Sequence, residues 1–162
     1  MQYSLDQADV IIDLAQQSLK VVKTQQVYCI SSGKNGIGEQ ENSGKTPRGW
    51  HRIAQKIGAE HAKNAVFIGR QWTGEIYNAD LAAEYPERDW ILSRILWLDG
   101  LEENFNCGDG CDTFKRYIYI HGTPDTEPMG IPMSHGCIRM HNTEVIDIFN
   151  LLNEGDLVYL VE

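Results

Sequence analysis

Residues able to do chemistry together crowd one short stretch, Ser134-His135-Gly136-Cys137-Ile138-Arg139-Met140, with His121-Gly122-Thr123 a little upstream. A thiol attacks a carbonyl carbon as its thiolate, which is scarce near neutral pH, so an imidazole that takes the proton makes a cysteine reactive. His121 and His135 are the two candidates for that base. If residues 134–140 run extended, His135, Cys137 and Arg139 share one side while Ser134, Ile138 and Met140 take the other. Gly122 and Gly136 would let backbone come close to a bound substrate. Arg139 is a candidate for pairing with a substrate carboxylate, and an ion pair with a loop carboxylate is its structural alternative. Ser134 is a further substrate-side candidate whose ordinary use is a local hydrogen bond.

The surrounding pattern must deliver these groups. Tyr117-Ile118-Tyr119-Ile120 alternates aromatic and branched residues and predicts a strand with His121 at its end. Pro124, Pro128, Gly130 and Pro132 forbid a regular element before the cysteine and make a bend that can return Cys137 toward His121. Residues 10–14 and 18–22 predict a hairpin and residues 27–31 a third strand. Residues 33–49, with five glycines, predict one long loop, either functional or a simple hairpin excursion. Strands are expected at 50–57, 66–70, 91–98 and 157–161. Residues 79–85 suggest one or two helical turns inside the charged and aromatic stretch 71–90. Residues 99–116 read as a polar loop. After the cysteine, Asn142 as N-cap, Val145, Ile146, Phe149 and Leu152 on one face and Gly155 as C-cap predict a helix. The fold class is therefore mainly β with minor α.

A chain of 162 residues suits one domain, 1–162, with a single core. Its 14 basic and 23 acidic side chains give a net charge of −9, which argues against nucleic acid or an anionic membrane as partner. No run is long and apolar enough for a membrane span. The opening residues lack the basic-then-apolar pattern of an export leader, so a cytoplasmic protein is expected, or a periplasmic one if a leader has been removed. Cys107 and Cys111 could close a small loop or supply half a metal site, but no second close pair of ligands follows and no metal is expected. Cys29 reads as a buried small hydrophobe, and His51 and His61 as surface histidines.

Taken together, His121-Gly122-Thr123, the 134–140 stretch, Thr46-Pro47-Arg48-Gly49-Trp50 and the opening strand Val10-Ile11-Ile12-Asp13-Leu14 resemble the L,D-transpeptidase catalytic domain family, the YkuD type. The resemblance covers nearly the whole chain. It implies a mixed β-sandwich with one helix after the nucleophile motif, and a cleft covered by residues 71–90. It also implies Cys137 as nucleophile, His121 as base with its ring oriented by the Gly122 carbonyl, and no cofactor. His135 would either help the backbone amides around Gly136 and Cys137 hold an oxyanion or prop the site from behind. The implied substrate is a peptidoglycan stem tetrapeptide, cleaved between its third residue, commonly meso-diaminopimelate, and D-alanine through a thioester. Water as acceptor, the outcome favoured for a cytoplasmic protein, gives an L,D-carboxypeptidase of murein recycling, whereas an amine acceptor in the periplasm gives 3-3 cross-links between stems or protein attached to peptidoglycan. Two readings of other classes compete. A zinc hydrolase built on His121, His135 and Cys137 would be stopped by a chelator, and a wall-binding module would have lost the cysteine or His121.

Overall fold

The computed structural model describes residues 2–162, and Met1 lies outside the described residues. Apolar alternation builds the opening hairpin: β1 (Val10–Asp13) pairs antiparallel with β2 (Ser18–Val21), turning Val10, Ile12, Leu19 and Val21 inward. On the far side of β2 lies β3 (Gln26–Cys29), an edge strand in which Tyr28 alone is buried. Cys29 is therefore exposed rather than buried, because the strand's alternation sends its neighbour inward.

The longest strand organises the rest. β7 (Ile91–Gly100) pairs antiparallel with β4 (Gly49–Ile57), with β5 (Ala65–Ile68) and with β8 (Tyr119–Gly122). β6 (Gln71–Ile76) completes a hairpin with β5 in a stretch where alternation gave no strand signal, and α1 (Ala79–Glu84) follows it. β9 (Ile138–Met140) lies parallel to β8. The last strand, β10 (Leu157–Val161), inserts between β1, to which it is parallel, and β4. The result is one curled sheet in the order β3-β2-β1-β10-β4-β7-β5-β6, with β8 and β9 branching from β7. This is the mainly β architecture expected, with one substantial helix, α2 (Asn142–Leu151), after the cysteine motif.

Side-chain alternation divides the core and thereby places the site. Leu96 and Leu98 of β7 and Ile118 and Ile120 around β8 face a large cluster that includes Ile138, Met140 and the α2 residues Val145, Ile148 and Phe149. Burying each such side chain contributes about 1.5–3 kcal/mol. The alternate residues, Ile95, Trp97 and Tyr119, form a second cluster with Phe114 and Cys137 packed against it. Thus β8 buries one face under α2 and presents Tyr119 and His121 on the other.

Three local expectations change. β8 starts at Tyr119, because Tyr117 takes a positive φ of 57° and breaks the ladder, so His121 lies within the strand rather than at its end. His141, not Asn142, is the N-cap of α2, and Leu152 the C-cap; Gly155, with φ of 94°, makes the following turn. His51 is fully buried, its ring bonded to the Gly49 carbonyl at 3.0 Å and to Thr113 Oγ1 at 2.9 Å, where it ties β4 to the 101–118 loop.

Burial pushes the His51 pKa down from 6.5 to about 4. The unfolded chain therefore binds the proton that the folded chain refuses, so His51 favours folding above pH 6.5 and loses that contribution as pH falls toward 4. Buried His121 shifts in the same direction. A series of thermal melts should show stability falling through this window, by roughly 3 kcal/mol for His51 alone. A melting temperature independent of pH from 6.5 to 4 would contradict it.

Candidate active site

Cys137 reaches its place through the β8–β9 register. Ile120 lies opposite Ile138 and His121 opposite Arg139 in parallel pairing, so the residue just before β9 comes alongside Tyr119. The Tyr119 N–H donates to Cys137 Sγ at 3.3 Å, and the thiol donates to the Tyr117 carbonyl at 3.3 Å. Tyr119, His121, Cys137 and Arg139 thus occupy one region of the sheet face, with the His121 ring diagonal to the sulfur. The thiol's hydrogen bonds run to the 117–119 backbone and not to the imidazole.

His121 is 2% exposed, and its Nδ1 lies 2.6 Å from the Gly122 carbonyl. A carbonyl only accepts, so Nδ1 carries the hydrogen and Nε2 keeps its lone pair. Burial lowers the ring's pKa below 6.5, outweighing the Gly122 hydrogen bond and the nearby Asp89 charge, and Arg139 acts with burial. A neutral imidazole with a free Nε2 is what a proton acceptor needs. Gly122 is packed so closely that an added Cβ would lie 2.4 Å from the Leu92 carbonyl oxygen and 2.5 Å from Asn142 Oδ1.

The stretch before β9 is not a continuous strand. Gly136 has φ of +123°, a conformation L side chains rarely adopt, and the turn it makes ends the simple alternation expected for 134–140. Ser134 is buried; its hydroxyl donates to the Cys137 carbonyl at 2.5 Å and accepts from the Gly136 N–H at 3.1 Å, bracing that turn. Thr46, from the Thr-Pro element, supports it from outside by donating to the Gly136 carbonyl at 2.8 Å while accepting from the Gly33 N–H. The glycine-rich 33–49 loop is thus docked against the motif, with Lys34 N–H bonded to the Ser134 carbonyl.

Two further sets of contacts emerge only from the structure. Asn142, fully buried, donates to the Thr123 carbonyl at 2.8 Å and accepts from Ser93 Oγ at 2.6 Å, fastening α2 and β7 to the His-Gly-Thr segment. Asp89, just before β7, reaches His135 Nδ1 at 3.1 Å and Arg139 at 3.2 Å. Its partial burial would raise the carboxyl pKa, but the facing His121 ring, the His135 hydrogen bond and Arg139 hold it below the usual range. His135 is largely exposed, and Arg139 is mostly buried with its Nε unpartnered. No sequence pattern ties an aspartate so far upstream to this motif.

Burial pushes the Cys137 thiol up to about 12; Asp89 adds to the rise, while the Tyr119 N–H, Arg139 and Arg116 work against it. Cys29, Cys107 and Cys111 are also unpaired thiols, and Cys107 is pushed up, chiefly by burial.

A half-buried thiol beside a neutral imidazole, held by a glycine turn on a curled β-sheet, defines a protein with the parts for cysteine-based acyl chemistry. The family model for the L,D-transpeptidase catalytic domain, YkuD, matches residues 7–160, and the chain belongs to that family. Among curated proteins it is similar to the putative L,D-transpeptidase YqjB of Bacillus subtilis, 41% identical over 54 residues covering 33% of this chain and 31% of that protein. The putative L,D-transpeptidase YkuD of the same organism is 41% identical over 44 residues, covering 27% of each. The aligned segments thus span under a third of these relatives. L,D-transpeptidase 3 from Mycobacterium tuberculosis, solved with a faropenem-derived adduct, shares the fold with a TM-score of 0.56 at 15% identity, covering 94% of this chain and 59% of that one. A mutant L,D-transpeptidase from Enterococcus faecium superposes with a TM-score of 0.54 at 16% identity, covering 96% and 50%.

Proposed function

We propose that this chain is a cysteine enzyme of peptidoglycan that transfers the acyl group of a stem tetrapeptide, cleaving between its third residue, meso-diaminopimelate, and D-alanine. The observation that carries the reading is the neutral, buried His121, its Nδ1 fixed by the Gly122 carbonyl, on the same sheet face as the Cys137 thiol. His121 Nε2 takes the thiol proton as sulfur bonds to the carbonyl carbon. The oxyanion is met by the Cys137 backbone N–H, since that of Gly136 is engaged by Ser134 Oγ, with His135 beside it. As the carbon–nitrogen bond breaks, the same imidazole returns the proton to the leaving amine, and D-alanine departs from a thioester. Water, deprotonated by His121, then adds to that thioester, and the sulfur leaves with the proton. Covalent catalysis replaces one difficult substitution by two easier ones.

Water is the favoured acceptor, making the protein an L,D-carboxypeptidase of the cytoplasm. The exposed Cys29 thiol supports a reducing compartment, where no sacculus supplies acceptor stems. Incubating the protein with disaccharide-tetrapeptide, with and without a second stem, and separating the products tests this. Tripeptide and free D-alanine are expected in both mixtures. A covalent dimer would replace hydrolysis by cross-linking, and no release of D-alanine would reject the reading.

A further inference from the structure

Resting on that reading, we infer that the cavity between Lys115, Arg116 and His135 is a subsite for a substrate carboxylate next to the scissile bond. The cavity holds about 400 Å³, and its wall includes Tyr117, whose carbonyl accepts the Cys137 thiol hydrogen, and His135, two residues before the nucleophile, so one residue separates the sulfur from this space. In a peptide ending in an amino acid, the terminal carboxylate lies within about 5 Å of the last amide carbonyl carbon. A group that reads it must therefore stand beside the sulfur.

Arg116 stands there with a charge that lacks a close counter-ion. Its guanidinium is half-buried and held by neutral acceptors: the Lys45 carbonyl at 2.6 Å, with the Gly38 carbonyl and Ser43 Oγ at 3.4 Å. Among the described residues, no carboxylate lies within 4.0 Å of Arg116 or Lys115. Glu39 is engaged by Arg48 at 2.9 Å, and Glu41 is the one acid on the cavity wall. Two cations, the half-buried Arg116 and the exposed Lys115, therefore face one carboxylate. Carboxylate recognition by a guanidinium is strongest where water is partly excluded and the donor is already fixed. On the His135 side, Asp89 lies 3.1 Å from the imidazole Nδ1 and would repel the same group. A substrate carboxylate is thus directed toward the Arg116 side.

The test uses three peptides and two alkylating agents on the whole protein. Peptides with both carboxylates free, with the terminal D-alanine amidated, or with the third residue's side-chain carboxylate amidated show which group is read. The relevant amidation should slow wild-type turnover about tenfold or more. That discrimination should shrink in Lys115→Gln and Arg116→Gln and return in Arg116→Lys. Equal turnover of all three peptides, or discrimination unchanged in both glutamine variants, overturns the subsite.

Alkylation of Cys137 by iodoacetate relative to iodoacetamide, read by peptide mass at roughly pH 9, needs no peptidoglycan chemistry. Each glutamine variant should lower that ratio about threefold. An unchanged ratio also overturns the subsite. A lowered ratio with no peptide turned over would instead retain the subsite and reject the proposed reaction.

Discussion

Replacing Cys137 by alanine is expected to end release of D-alanine from the tetrapeptide, a loss of about 10⁴-fold or more, while the far-ultraviolet spectrum stays unchanged. The expectation follows from what remains. His121 and the Gly136 turn would still bind and polarise the carbonyl, but no atom would be placed to bond to its carbon. The sulfur packs at the margin of the Trp97, Tyr119 and Phe114 cluster and is half-buried. Its removal leaves a small, water-accessible gap and should cost stability only about 1 kcal/mol. Folding and chemistry are therefore separable at this position. Turnover retained in the variant, measured on protein free of wild type, would remove Cys137 from the reaction.

His121→Gln is expected to lower kcat/KM by about 10² to 10⁴-fold, the range usual for loss of a positioned general base. Glutamine can still hydrogen-bond to the Gly122 carbonyl but cannot carry the proton between sulfur and leaving amine. The pH profile distinguishes this from damage to the strand. In the wild type, activity should fall as pH drops through the His121 pKa, which burial places below 6.5. The imidazole thus stays neutral, and the acid limb lies on the low side of that value. The variant should lose this limb over the range in which it remains folded. An acid limb unchanged by the substitution would assign the base to another group.

The chemistry was legible in the sequence where it resides in side chains of unusual spacing. The His-Gly-Thr and Ser-His-Gly-Cys-Ile-Arg-Met stretches point to a thiol and an imidazole without knowledge of the fold. What was not legible is contact made by pairing or burial. Tyr117 serves the thiol through a backbone carbonyl, for which residue type gives no signal. Asp89 joins His135 and Arg139 across separations of 46 and 50 residues. Asn142 and His51 look like a cap and a surface histidine because polar residues usually are. Each is instead satisfied by a partner from a distant strand or loop, which only the folded sheet brings near. Cys29 failed differently: in an edge strand, which neighbour faces inward decides exposure, and a short apolar run does not declare it.

The burial that raises the Cys137 thiol carries a consequence for survival as well as for turnover. With its thiol pKa pushed up to about 12, the sulfur stays protonated at neutral pH before substrate arrives. Peroxides attack the ionised form, so the idle enzyme offers oxidants almost nothing to consume. Its reactive atom is made on demand and is spared in the intervals between encounters, unlike the permanently charged sulfurs that cells employ as alarms.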